Sequence, residues 1–170
     1  MGPQISSHLL SDPLDHYPVL DLSKLKSLNT NQKTFRESYG LELYRQTGQT
    51  GCAYCGISFV DSNSNNFTHW LMMSVDHVVP RKTALLLSID QNIWDSILNL
   101  VLCCRSCNDY GNRDRQKVPY QPEVVNSPEA FLHWRRDTFR YRFQKISEKR
   151  AHDLGTYQFW VPLPDSTDSD

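Results

Sequence analysis

Two cysteine pairs with the same two-residue gap stand 48 residues apart in this chain, Cys52-Ala-Tyr-Cys55 and Cys104-Arg-Ser-Cys107. Such a gap lets two thiolates close on one tetrahedral ion. Two pairs supply the four sulfur ligands that saturate a structural zinc. The separation is much larger than in a compact finger, so the pairs must meet in space around an inserted unit. Cys103 offers a competing CxxxC with Cys107. Cys104 is preferred because it repeats the gap of the first pair, which leaves Cys103 as a small inward side chain of a strand. Five cysteines would leave one over in a disulfide framework and fit metal binding in a reducing cytoplasm.

The inserted unit carries Val75-Asp76-His77-Val78-Val79-Pro80, and Asn99-Leu-Val-Leu leads into the second pair. With four sulfurs on zinc, Asp76 and His77 are left for chemistry. A neutral imidazole can take a proton from water near pH 7, and a carboxylate can bind a hard divalent cation. Neighbours on an ideal strand point to opposite faces. Both serve one site only if the strand ends or bends there, as Pro80 would make it do. Asn99 could hold the His77 ring in one orientation, and the Asn108 carbonyl could join Asp76 on a cation. Taken alone, each asparagine is more often a cap or a turn former.

Periodicity supplies the frame. Residues 1–30, with Pro3, Pro13 and Pro18, read as an extended N-terminal arm. Residues 31–118 read as the core that holds the zinc site: a helix over 31–47 with Phe35, Tyr39, Leu43 and Tyr44 at helical spacing, a loop over 61–66, a strand over 67–79, a short helix over 89–98, a strand over 99–103 and a helix from Cys107. Residues 119–156 read as a basic helix packed on that core. Ser127 and Pro128 start it, Gly155 stops it, and Leu132, Phe139, Phe143 and Ile146 form its core stripe. Residues 157–170 read as an acidic tail.

Cys52-x-x-Cys55, Val75-Asp76-His77-Val-Val-Pro80-Arg81, Asn99-Leu-Val-Leu and Cys104-Arg-Ser-Cys107-Asn108 together resemble the zinc-stapled branch of the HNH endonucleases, over about residues 35–113. The resemblance implies an α+β fold: a ββα-metal (His-Me finger) core stapled by a four-cysteine zinc site and flanked by helices. It implies hydrolysis of phosphodiester bonds in DNA, with 5′-phosphate and 3′-hydroxyl products. His77 would be the general base and Asn99 its orienting partner. Asp76 and Asn108 would hold a catalytic Mg²⁺ or another divalent ion, beside the structural Zn²⁺. Many members have Lys three residues after the final Asn; here that position is Gly111, with Arg113 and Arg115 further on.

Charge is unevenly spread. The chain has a net charge of −1, yet residues 105–150 carry 11 Lys and Arg against 6 Asp and Glu. A polyanion could be gripped there. Arg136 and Arg140, on a helix that also bears Arg135, Arg142, Lys145, Lys149 and Arg150, are candidates for nucleic-acid contact, with Arg81, Arg113 and Arg115 nearer the cutting site. The expected partner is double-stranded DNA. A homodimer would let one site per chain cut both strands. No apolar run approaches the roughly 18 residues of a membrane helix, and no basic segment followed by an apolar one opens the chain, so a cytoplasmic protein is expected. The competing reading is a zinc-stabilised nucleic-acid-binding module that does not cut. All four expected active-site positions hold chemically competent residues, which favours the nuclease.

Overall fold

Two short strands carry the architecture. Met73–His77 (β1) pairs antiparallel with Leu100–Cys104 (β2), in a register that sets Met73 against Cys104 and His77 against Leu100. The structure is a computed structural model and describes residues 11–31, 34–60, 66–113 and 118–161; for Asn66 and residues 111–113 it describes the backbone alone. Ahead of the strands lie Tyr39–Thr47 (α1) and Asn66–Leu71 (α2). Between them lie Arg81–Leu86 (α3) and Gln91–Trp94 (α4). Arg105–Arg113 (α5) follows β2 directly, and Pro128–Trp160 (α6) closes the described chain. The order β1, β2, α5 is a strand pair followed at once by a helix, in an α+β protein.

Two apolar clusters flank the strand pair. The first gathers Leu43 of α1, Cys52, Ala53, Tyr54 and Phe59 of the first cysteine loop, the strand residues, and Phe139 and Ile146 of α6. Tyr54 stacks on Phe139 with ring centroids 5.4 Å apart. The second gathers Val79, Ala84, Ile89, Trp94 and Leu98 with Phe131 and Trp134 of α6. Helix α6 thus spans both clusters.

The N-terminal arm packs more closely than its prolines imply. Leu14 is buried in the second cluster, with Tyr17, Leu20, Leu22 and Leu25 against it. Single-turn 3-10 segments at Pro13–His16 and Leu22–Lys24 replace longer periodicity, each capped by an aspartate side chain, Asp12 and Asp21. Their four- and three-residue lengths leave too little sequence to show a helical period.

The helix expected over 31–47 begins only at Tyr39, after a 3-10 turn over Phe35–Glu37, and the one expected over 89–98 spans only Gln91–Trp94; three further differences change how the faces are used. The run from Phe67 is a helix up to Leu71 and a strand only from Met73. Phe67, Trp70 and Leu71 are spaced three and four apart, and Phe67 stacks on Trp70, so helical spacing competes with alternation over a short apolar run. Helix α6 runs through Gly155 to Trp160. A glycine inside a helix costs only about 1 kcal/mol, less than 33 residues of helix can carry. By contrast Gly48 does end α1, at φ 69° in the left-handed region.

The third difference is the inward face of α6. Phe131, Trp134, Arg135, Thr138, Phe139, Arg142 and Ile146 are buried, while Leu132 and Phe143 sit at its edges, partly buried. Two residues expected on the basic surface, Arg135 and Arg142, therefore lie in the core. Arg135 pairs with Asp12 and lies over the Phe139 ring, and Arg142 pairs with Asp76 at 2.6 Å. A buried guanidinium is tolerable because a carboxylate meets it. Because Phe139 joins α6 to the first cysteine loop, Phe139→Ala should cost about 3–5 kcal/mol of stability. Urea unfolding with zinc in excess measures it, and a loss below about 1 kcal/mol would show that α6 is not part of the core.

Candidate active site

The first cysteine loop is a tight knuckle. Gly56 N–H donates to Cys52 O and Cys52 N–H to Ile57 O, both at 2.9 Å, with Gly56 at φ 73°. Ala53 N–H donates to Leu102 O, which ties the knuckle to the outer edge of β2. Cys104 ends β2 and Cys107 lies in the first turn of α5. The sulfurs of Cys52, Cys55, Cys104 and Cys107 all lie within 4.8 Å of one another, and those of Cys55 and Cys104 are 3.8 Å apart. A tetrahedral ion with Zn–S bonds of about 2.3 Å has sulfur–sulfur edges of about 3.8 Å. The four cysteines are placed to bind a metal, and zinc fits them.

Cys103 is excluded from the cluster by the strand itself. It is fully buried and paired in register with Ser74, on the face opposite Cys104. Arg150 reaches Cys107 Sγ at 3.7 Å, a cation beside a site whose four thiolates exceed the charge of one divalent ion.

At the far end of β1, the two candidate catalytic residues leave opposite faces. His77 turns towards α4: its Nε2 lies 3.2 Å from Asp95 Oδ1 and its ring 5.7 Å from that of Trp94. Its side chain is 19% exposed, so water can reach the ring. Asp76 turns the other way and is buried, with Oδ2 accepting from Tyr54 Oη and from Arg142, both at 2.6 Å. Burial first, then the Asp76 charge, pushes the Tyr54 phenol well above its usual range, so it stays a donor.

No hydrogen bond joins the Asn99 side chain to the His77 ring. The Asn99 side chain is fully buried, accepts from Val79 N–H at 2.8 Å and donates to Val79 O and Trp94 O at 3.0 and 2.8 Å. Val78 N–H donates to the backbone oxygen of Asn99. The amide clamps the chain just beyond His77 to the end of α4. Asn108, in α5, donates through Nδ2 to Ser74 Oγ at 2.7 Å and to Val75 O at 3.4 Å. It lies along the same face of β1 as Asp76, since Ser74 and Asp76 alternate together.

Sequence reasoning misses Asp95. It is fully buried, and nothing in Ile-Trp-Asp-Ser marks it, because its partners lie far off in the chain. Burial pushes its carboxyl up, but hydrogen bonds from His77, Thr30, Ser27 and Gln91 outweigh that and hold it below the usual carboxylate range.

The candidate phosphate-gripping arginines are dispersed. Arg81 lies over the Trp94 ring, 5.4 Å from its centroid, and donates to Asn31 Oδ1 at 2.7 Å. That puts a cation on the indole that also contacts His77. Arg136 pairs with Asp15 at 3.1 Å and Arg140 with Asp137 at 3.3 Å. The Arg113 side chain and all of Arg115 lie outside the described residues.

Residues 52–113 match the family model described as HNH endonuclease. This segment is an HNH domain. No curated protein and no solved structure matches the chain. The matched segment begins at Cys52 and ends at Arg113, so it takes in both cysteine pairs, both strands and α5, and the zinc-stapled form of the HNH domain accounts for the sulfur cluster. Among the described residues no helix is long and apolar enough to cross a membrane.

The two adjacent cysteines give a clean test. Cys104→Ser should lose zinc and unfold the domain, since a structural site contributes folding free energy directly. Cys103→Ser should keep one zinc per chain. Elemental analysis of both purified variants measures this, and zinc retained by Cys104→Ser but lost from Cys103→Ser would reverse the assignment.

Proposed function

We propose that the protein is a metal-dependent HNH endonuclease that hydrolyses phosphodiester bonds in double-stranded DNA. The observation that carries this reading is His77: an imidazole open to water, at the end of a zinc-stapled strand, in an HNH domain, with a buried carboxylate behind it. His77 takes the proton of the water that attacks phosphorus in line. Asn99 holds the backbone that follows His77, which keeps the ring at the strand end.

Asp76 and Asn108 would hold the divalent ion. The donor set fits: Asp76 Oδ2 is anchored by Tyr54 and Arg142, while among the described residues no hydrogen bond reaches Oδ1. Ligating carboxylates are commonly fixed in this way by outer partners. Asn108 uses its nitrogen on β1, and its carbonyl oxygen is the atom a cation takes. When bound, such an ion offsets charge on the phosphate and on the leaving 3′ oxygen. Arg81, which lies over the Trp94 ring that meets His77, would contact the phosphate backbone, and Arg113, Arg115, Arg136 and Arg140 are further candidates. Two copies of the chain would allow both strands to be cut.

Two observations favour the rival reading, a zinc-stabilised module that binds nucleic acid without cutting: Asp76 and His77 leave β1 on opposite faces towards different partners, and the Asp76 charge is already met. Arg142 already compensates the Asp76 charge, so the carboxylate is stable without an ion. Plasmid nicking decides between them. Wild type should nick with Mg²⁺ and not with chelator, and His77→Ala should nick about 10²–10⁴-fold more slowly while keeping its zinc and its affinity for DNA. Asp76→Ala and Asn108→Ala should both raise the metal concentration at half-maximal rate. Tight DNA binding with no nicking by wild type under any divalent metal would establish the non-cutting module.

A further inference from the structure

We infer that Asp95, held by the N-terminal arm, is the positioning residue that fixes His77 as the Nε2–H tautomer and leaves Nδ1 as its proton-accepting atom. The inference rests on the nuclease reading for its chemistry, but the tautomer itself can be observed without turnover.

The argument is one of donors and acceptors. Asp95 Oδ1 accepts from Thr30 Oγ1 at 2.5 Å and lies 3.2 Å from His77 Nε2. Its Oδ2 accepts from Ser27 Oγ at 2.8 Å, Thr30 N–H at 3.2 Å and Gln91 Nε2 at 3.3 Å. Every partner other than His77 donates. A carboxylate in such company stays ionised and can only accept. The His77 nitrogen facing it must then carry the hydrogen, and in a neutral imidazole the lone pair falls on Nδ1. A side chain at this position with a donor of its own could turn that donor towards His77 and select the other tautomer. That would place the lone pair against Asp95's position and aim an N–H at the water.

The carboxylate is itself built in from outside the HNH segment. Ser27 and Thr30 lie well ahead of residue 52, where the family match begins. Leu28 N–H donates to the Asp95 backbone oxygen at 2.8 Å, so the arm grips both the main chain and the side chain of Asp95. Residues 27–30 thus hold the carboxylate that meets the catalytic imidazole, which gives the packed arm a task. The other titratable or charged groups around the pair are Arg81, stacked on Trp94 beside His77, and Tyr39, whose phenol is pushed up by burial and then by Asp95.

The test uses Asp95→Asn, an isosteric change that can donate, and Ser27→Ala/Thr30→Val, which leaves Asp95 and removes the two arm hydroxyls. The first readout is ¹⁵N NMR of imidazole-labelled full-length protein at neutral pH. His77 should show the Nε2–H tautomer in wild type and lose that bias in Asp95→Asn. The second is nicking: Asp95→Asn should lower the maximal rate roughly 10²-fold or more, with the DNA concentration at half-maximal rate unchanged and the acid limb of the pH profile displaced. The double arm variant should lower the rate by a smaller factor in the same pattern, and it serves if Asp95→Asn does not fold. A wild type with the Nε2–H tautomer but no nicking would sink the nuclease reading and leave the positioning role standing. An Nδ1–H tautomer in wild type, or wild-type rate and pH profile in a folded Asp95→Asn or arm variant, would overturn the role of Asp95.

Discussion

Closure of four cysteine sulfurs is the constraint on which the rest of this structure depends. The β1–β2 pair has five residues in each strand, and an isolated two-stranded sheet is marginal in water. The cluster joins the knuckle before β1, the last residue of β2 and the first turn of α5 at one point. The chain between the pairs then becomes a closed loop that carries Asp76, His77 and Asn99, with Asn108 just beyond it on α5. A metal there would substitute for core that so short a sheet cannot bury. Around it, α6 adds the remaining packing through Phe139 and Ile146.

From the stapled end, order passes along β1 to its other end. Asp76 and His77 are consecutive, and alternation sends them to different environments: Asp76 into the buried company of Tyr54 and Arg142, and the partly exposed His77 against the buried Trp94 and Asp95. Asn99 ties this end through three side-chain bonds to backbone groups. These bonds satisfy buried polar groups that would each cost about 1–3 kcal/mol if left unmade. The strand pair is therefore held at one end by the sulfur cluster and at the other by an amide clamp, with the candidate site between and beside them.

Much of this is legible from spacing. The paired gaps identify Cys52, Cys55, Cys104 and Cys107, because a local two-residue gap encodes a local geometry. The choice of Cys104 over Cys103 also follows locally, from the repeated two-residue gap, and strand alternation turns Cys103 to the other face. The order of Asp76, His77, Asn99 and Asn108 points to an HNH domain, and residues 52–113 match one. What escapes is non-local. Asp95 is defined by contacts to Ser27 and Thr30, 68 and 65 residues away, and no periodicity records them. Arg135 and Arg142 look like surface cations because charge is read from residue type, whereas burial is decided by which face of α6 meets the core. Asn99 acts on backbone rather than on the imidazole, a distinction that residue type does not carry.

The most direct measurement is amide hydrogen exchange on the full chain before and after zinc is stripped with a chelator, and again after zinc is restored. If the four sulfurs hold the strand pair, stripping should collapse protection of the 73–79 and 100–104 amides together with the knuckle around Cys52, and zinc should restore all of it. Protection of these amides that survives complete removal of the metal would contradict the claim that the strand pair depends on sulfur closure, and would place its stability in the packing of α6 instead.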